Sequence, residues 1–381
     1  MRIAFYAPLK PPSHPVPSGD RRLARLLIDA LRHGGHEVEL AAVFRSREGA
    51  GDGARQDRLQ QLGEMLAARL IRRYRARPPT ARPALWFTYH LYYKAPDWLG
   101  PAVADALAIP YVVAEASHAP KRAGGAWAAG HRATVDAVRR AAAVFAFNRD
   151  DLICLPDIVP AERVHYLPPF LDAGPFGAAA DARDRHRAVI AARHDLDPAR
   201  PWLLAVAMMR PGDKVESYTQ LAAALDRLED RSWQLLIVGD GPASDAVHGL
   251  FTRFGGARVR HGGAVPVDEL PAIYAAADLF VWPAVGEAFG MAILEAQAAG
   301  LPVVAGNLRG VPDIVDADSG ILTPPGDDAA FAAAIGGLLA DGARRRRMSR
   351  AARRRVAVGH GIAGAAVALN QRLHELTGTV A

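Results

Sequence analysis

The chain has 381 residues, half of them hydrophobic, with 46 Lys and Arg against 40 Asp and Glu and a single cysteine, Cys154. That length and apolar content suit two domains with separate cores, and one cysteine excludes both an internal disulfide and a multi-cysteine metal site, in keeping with a reducing cytoplasm. No window forms a continuous apolar span, so no transmembrane helix is expected, and the N-terminal MRIAFYAPLK reads as a buried strand and not as a secretory signal.

RIAFYAP is the first predicted strand, 20–33 a helix ended by Gly34 and Gly35, and HEVELAAVF the second strand. Segment 48–83 is polar and Arg-rich with a helical middle, an insertion or exposed helix pair. ALWFTYHLYY, IPYVVAEAS and AAVFAFNRD continue the strand series, and strands alternating with helices give an α/β parallel sheet with crossover helices. A proline- and charge-rich stretch over about 168–197 separates the halves. PWLLAVAMM, a helix over about 218–228 and WQLLIVGDGP open the second half. ADLFVWPAVGEAFGMAILEAQAAGLPVVAG then reads as strand, turn, helix and strand, its helix over about 289–299 stopped by Gly300 and Pro302. A last helix spans about 361–376.

That strand-turn-helix segment carries two carboxylates, Glu287 in the turn and Glu295 on the helix. Small residues Gly286, Ala288 and Gly290 let an anion approach the free amides of the first helical turn, where the dipole favours negative charge. Glu295, further along, suits the paired hydrogen bonds of a ribose diol beside a bound diphosphate. Taken alone, two such acids are more often a solvated turn residue and an ordinary surface helix residue. RPGDK sets Arg210 and Lys214 after the strand PWLLAVAMM, at the sheet edge where ligands of such folds collect. LLIVGDGP ends in a Gly-rich turn with Gly239 and Gly241. In the first half, Ser18 and Gly19 precede a helix and suit backbone approach to a phosphate. YVVAEAS leads to Glu115 and His118, a strand-end histidine of a kind that is more often structural than functional. Arg69, Arg72, Arg73, Arg75 and Arg77 form one basic cluster and 344–355 another. Each reads as a solvated helix face, with attraction of the first to anionic lipid headgroups as the sharper alternative; no aromatic-basic module of a nucleic-acid-binding type accompanies them.

The run ADLFVWPAVGEAFGMAILEAQAAGLPVVA resembles the signature of the large family of retaining glycosyltransferases often numbered family four, and VRHGGAVPVDELPAIYAAADLFVWP and GVPDIVDADSGILTPPGDDAAFAAAI extend the match over most of the C-terminal half. GHEV resembles a landmark of the family's N-terminal domain. The resemblance implies the α/β GT-B architecture, two Rossmann-like domains whose parallel sheets face a central cleft. Residues 1–175 would be the acceptor-side domain, joined by helix 361–381, with a linker at 176–198 and a nucleotide-sugar domain at 199–360. It implies catalytic roles for Glu287, Arg210, Lys214 and His118, the cations stabilising a departing diphosphate. Donor contacts would come from Glu295, Ser18, Gly19, Gly239, Gly241, Ala264, Val265, Ala288, Phe289, Gly290 and Met291. The family often has Gly after the lysine, where this chain has Val215 and a shorter spacing, and a glycine pair where this chain has Gly19 alone.

The activity so implied moves a sugar, with retention, from a UDP- or GDP-linked donor to an acceptor hydroxyl of a glycan or lipid-linked acceptor in polysaccharide or cell-envelope synthesis. It needs neither cofactor nor metal, and no nucleic acid. The setting is the cytoplasm, with peripheral contact at the inner face of an anionic membrane. Rival readings are a nucleotide-sugar epimerase of the same shape, a non-catalytic sugar-nucleotide binder, and a dinucleotide oxidoreductase, the last opposed by the lack of G-x-G-x-x-G after the first strand.

Overall fold

The computed structural model describes residues 1–16, 18–287 and 289–378. Twelve strands form two six-stranded sheets. The first holds β1 (Arg2–Tyr6), β2 (Glu37–Leu40), β3 (Leu85–Leu91), β4 (Tyr111–Ala116), β5 (Ala143–Ala146) and β6 (Val164–Tyr166), in the order β2-β1-β3-β4-β5-β6. The second holds β7 (Trp202–Val206), β8 (Gln234–Val238), β9 (Val259–Gly263), β10 (Leu279–Trp282), β11 (Val303–Gly306) and β12 (Gly320–Thr323), in the order β12-β11-β10-β7-β8-β9. Neighbouring strands in both sheets run parallel. Parallel strands are covered by helices on both faces, which is why the inner ones are near-continuous apolar runs: Leu85, Trp86, Phe87 and Leu91 of β3 and all of Leu279, Phe280 and Val281 of β10 are fully buried.

The chain divides into two compact units, Met1–Pro168 with everything from Ile362 onward, and Pro169–Gly361. Each is doubly wound. Its strand order reverses once, between β1 and β3 in the first and between β7 and β10 in the second, and such reversals leave a crevice beyond the strand ends. The last helix, Ile362–Thr377, packs on Gly19–His33 of the first unit, where Asn370 Oδ1 accepts from His36 Nε2 at 2.7 Å and Asn370 Nδ2 donates to the Gly34 carbonyl at 2.9 Å.

Several boundaries differ from the sequence reading. Residues 176–198 are no linker. Most of them lie in helices Gly174–Asp181 and Arg183–His194, which pack on helix Leu270–Ala276 inside the second unit. Phe176 and Ile190 are buried there, and the charges turn inward. Arg183 and Arg187 both grip Asp278, at 2.7 and 3.0 Å, while Arg187 also stacks 4.0 Å over the Trp202 ring. The domain boundary therefore falls at 168/169 and not at 175. Segment 48–83 contributes one long helix, Gly53–Arg75, and not a pair. Helix Asp213–Asp226 starts well before 218, which moves Lys214 from a turn into a first helical turn. Val259–Gly263, a segment given no element from the sequence, is strand β9.

The arginine clusters are partly structural. Arg77 pairs with Glu39 at 2.9 Å, Arg75 donates to the Ala106 carbonyl, and Arg353 and Arg355 pair with Asp181 and Asp316. No helix among the described residues is long and apolar enough to cross a membrane.

Candidate functional site

The crevice residues of the second unit are set by the exits of β7 and β10. After β10 the chain turns sharply, with Ala284 and Gly286 both at positive φ (62 and 64°). A Cβ at position 286 would lie 2.0 Å from an Asp213 carboxylate oxygen, so only glycine fits against the start of helix Asp213–Asp226. Ser217 secures the contact, donating to the Asp213 carbonyl at 2.9 Å and accepting the Val285 amide at 3.0 Å. Those constraints deliver Glu287 to Lys214. The two side chains form an ion pair, each about four-fifths buried, with Trp282 Nε1 3.4 Å from the same Glu287 oxygen and the Lys214 ammonium 5.4 Å above the Trp282 ring. The lysine and the turn glutamate singled out from sequence are thus direct partners, positioned where strand order reverses.

Other predicted residues surround this pair unevenly. Phe289 is half-buried, and Gly290, at φ 67°, begins helix Met291–Ala298 with its carbonyl taken by the amides of Ile293 and Leu294. The Met291 and Ala292 amides, at the first turn, have no helical carbonyl to reach. Ala288 lies outside the described residues. Glu295 is not a surface acid: it is 3% exposed, on the inner side of that helix. Arg210 is exposed beyond β7, its side chain without hydrogen bond or ion pair among the described residues, so no contact ties it to Lys214 or Glu287. Gly239 and Gly241 have φ of 146 and 155°, and a Cβ on them would lie 1.9 and 2.3 Å from the carbonyl oxygens of Ala207 and Met209. Their first role is to let the exits of β7 and β8 lie against each other. Ala264 and Val265 follow β9, the former exposed and the latter half-buried.

In the first unit Ser18 is the N-cap of helix Gly19–His33, accepting the Arg21 amide at 3.2 Å, and Gly19 is the helix's first residue with open space around its Cα. His118, beyond β4, has a buried Nδ1 without a hydrogen-bond partner and stands 5.8 Å from the His131 ring. Burial, helped by His131, pushes its pKa down, so the imidazole is neutral at pH 7.

A second group was read from sequence only in part, through Glu115 and not His90. His90, at the end of β3, and Glu115, in β4, both have positive φ (60 and 62°), a strained conformation for residues with side chains. The His90 Nδ1 lies 3.1 Å from Asp20 and 3.6 Å from Glu115, at the first unit's strand-order reversal. Burial drives the Glu115 pKa up to about 7 and that of nearby Asp151 to about 6. For His90 burial is outweighed by Glu115 and Asp20, which raise its pKa. Backbone strain has no signature in composition. The available sign was an ionisable residue interrupting the apolar run LWFTYHLYY.

Two doubly wound units, one with a cation and a carboxylate paired at its switch point, define a Rossmann-like α/β protein of the GT-B class. More particularly, residues 200–341, which lie within the second unit, match the family described as glycosyl transferases group 1. The chain is 36% identical over 217 residues to D-inositol 3-phosphate glycosyltransferase of Salinispora tropica, which covers 54% of this chain and 44% of that protein. It is 35% identical over 228 residues to alpha-D-kanosaminyltransferase of Streptomyces kanamyceticus, covering 58% of this chain and 56% of that protein. The matched segments span between a quarter and somewhat over half of the curated relatives' lengths. In fold the chain resembles sucrose-phosphate synthase from Thermosynechococcus elongatus, with a TM-score of 0.74 at 21% identity and full coverage of both chains.

Proposed function

We propose that the chain is a retaining glycosyltransferase that moves a sugar from a UDP- or GDP-linked donor to an acceptor hydroxyl of a glycan or lipid-linked acceptor. The observation that carries this reading is the Lys214–Glu287 pair at the β7/β10 switch point of a group 1 glycosyltransferase domain. The curated relatives' names, which include glycosyl and kanosaminyl transfer, support the reaction class. HepE from Anabaena, solved with UDP-glucose, has a similar fold at 20% identity and a TM-score of 0.69, with full coverage of both chains, which supports a uridine donor.

In this scheme the donor diphosphate replaces Glu287 as the partner of Lys214 and accepts from the Met291 and Ala292 amides, with Arg210 free to join. The acceptor oxygen bonds to the anomeric carbon as the sugar–diphosphate bond breaks on the same face, and the acceptor's proton passes to the departing phosphate oxygen. Charge growing on that oxygen is met by Lys214 and the helix start, which is where fixed positive charge lowers a barrier; no metal is required. Glu287, released from the lysine, orients hydroxyls of the transferred sugar, Glu295 takes the ribose diol, and His118 accepts from or donates to the sugar in the neutral form. Synthesis of polysaccharide or cell-envelope glycans at the cytoplasmic face of a membrane fits the exposed Arg58, Leu62, Met65, Arg69 and Arg72, which lie along one side of helix Gly53–Arg75.

A thermal-shift panel of nucleotide sugars tests the assignment, since a ligand of the native state raises its melting temperature. We expect a rise with a UDP or GDP sugar that shrinks in Lys214→Ala; a flat panel would overturn the reading.

A further inference from the structure

Trp282, the last residue of β10, touches both members of the Lys214–Glu287 pair with different parts of one side chain. The Lys214 ammonium lies over its ring, 5.4 Å from the centroid, and its Nε1–H points to a Glu287 oxygen at 3.4 Å. That oxygen is the one paired with the lysine, so cation, carboxylate and indole close a triangle. The negative face of an aromatic ring attracts a cation, and the indole N–H on its edge donates to a carboxylate. Neither contact needs the other.

The indole is itself fixed. Trp282 is buried, and Tyr218 meets it edge to face with ring centroids 4.9 Å apart. The Tyr218 hydroxyl donates to the Ala207 carbonyl, just beyond β7, at 2.9 Å. Tyr218 follows Lys214 by four residues on helix Asp213–Asp226, so the two side chains leave one face of that helix, and both reach the same indole. Lys214 and Glu287 have no such anchorage. Apart from each other and Trp282, neither side chain has a hydrogen bond or ion pair among the described residues.

Donor binding opens the pair in the scheme above. Two long side chains would then lose their mutual restraint at the step that needs them placed, at a cost in side-chain entropy and alignment. The indole outlasts the exchange: its face keeps the ammonium beside the incoming phosphate, and its N–H keeps the carboxylate from following the cation. We propose that Trp282 is a positioning residue that holds Lys214 and Glu287 in separate places once the donor has parted them. The role rests on the transferase reading.

Two substitutions separate the contacts. Trp282→Phe keeps a ring face and removes the N–H, whereas Trp282→Leu removes both. Calorimetry with UDP, and glucosyl transfer from UDP-glucose to water with release of UDP and glucose, are read on the full chain; GDP and GDP-mannose replace them if only these stabilise the wild type. In Trp282→Phe the nucleotide affinity should stay within about twofold of wild type while turnover falls about tenfold. In Trp282→Leu the affinity should fall as well, by about 3- to 30-fold. Because the indole N–H acts through the carboxylate, adding Trp282→Phe to Glu287→Gln should lower turnover no further, whereas a merely structural loss would multiply. Unchanged turnover in Trp282→Phe, or a loss that multiplies fully, overturns the role and leaves the transferase reading standing. Should neither variant fold, or transfer to water be too slow to follow, the indole N–H resonances of the nucleotide-bound wild type decide. One of the six should shift in nucleotide-bound Glu287→Gln, because the indole still holds the carboxylate after the lysine has left it; coincident indole spectra overturn the role. A wild type that binds no nucleotide or nucleotide sugar overturns the transferase reading, and this role with it.

Discussion

Replacing Glu287 with glutamine should tighten nucleotide binding while impairing transfer. Lys214 is paired with Glu287, so a diphosphate that needs the lysine must displace the carboxylate. At an effective dielectric of about 20, opposite charges about 4 Å apart attract by roughly 4 kcal/mol. Desolvation of two side chains about four-fifths buried cancels much of that, leaving about 1–2 kcal/mol net. Glutamine keeps the shape and removes the charge, so the affinity of Glu287→Gln for UDP or GDP should rise by about 5- to 30-fold, while turnover falls because the sugar hydroxyls lose their acceptor. Calorimetry with the free nucleoside diphosphate reads the first effect and single-turnover transfer the second. An affinity that drops as it does in Lys214→Ala would show that the carboxylate helps hold the nucleotide and refute the competition.

The His90 group gives stability a definite pH dependence. Glu115, Asp151 and His90 all have raised pKa values, so each binds its proton more tightly folded than unfolded, and the stability it contributes is present at low pH and lost as pH rises through the folded value. Depressed Asp20, paired with His90, acts oppositely and only in acid. Urea unfolding at pH 5 and pH 8 should show a loss of up to about 3 kcal/mol attributable to Glu115, lying between its ordinary value and about 7; a Glu115→Gln variant with the same pH slope as wild type would refute the assignment. Asp278→Ala strips Arg183, Arg187 and the Trp202 amide of their shared acceptor and should cost about 3 kcal/mol, with early proteolytic cleavage between 174 and 198; resistance equal to wild type would return that stretch to the status of a linker. Co-sedimentation with anionic vesicles should weaken when Arg58, Arg69 and Arg72 become Gln, and unaltered binding would remove helix Gly53–Arg75 from membrane contact.

The strands were legible because a parallel sheet buried on both faces demands unbroken apolar runs, as in LWFTYHL and LFVW. Lys214 and Glu287 were each singled out in the sequence. Their pairing was not, since it depends on Gly286 lying flat against Asp213, a contact between turns far apart in sequence. The supposed linker misled because its arginines look solvated in one dimension, whereas the backbone carbonyls of Ala275 and Ala276 and the Asp278 carboxylate draw them inward. Arg210 shows the converse: its type suited an anion site, but no packed neighbour fixes it.

The helix Ile362–Thr377 belongs to the first unit although it follows the second in sequence. On the ribosome, the segment Pro169–Gly361 emerges whole, its two ends already clasped by the Leu171–His360 backbone hydrogen bond of 3.0 Å, while its predecessor still waits for the piece that covers Gly34 and His36. The second unit can thus close before the first, and nascent chains whose residues up to 361 have emerged should hold a finished second half and an open first one.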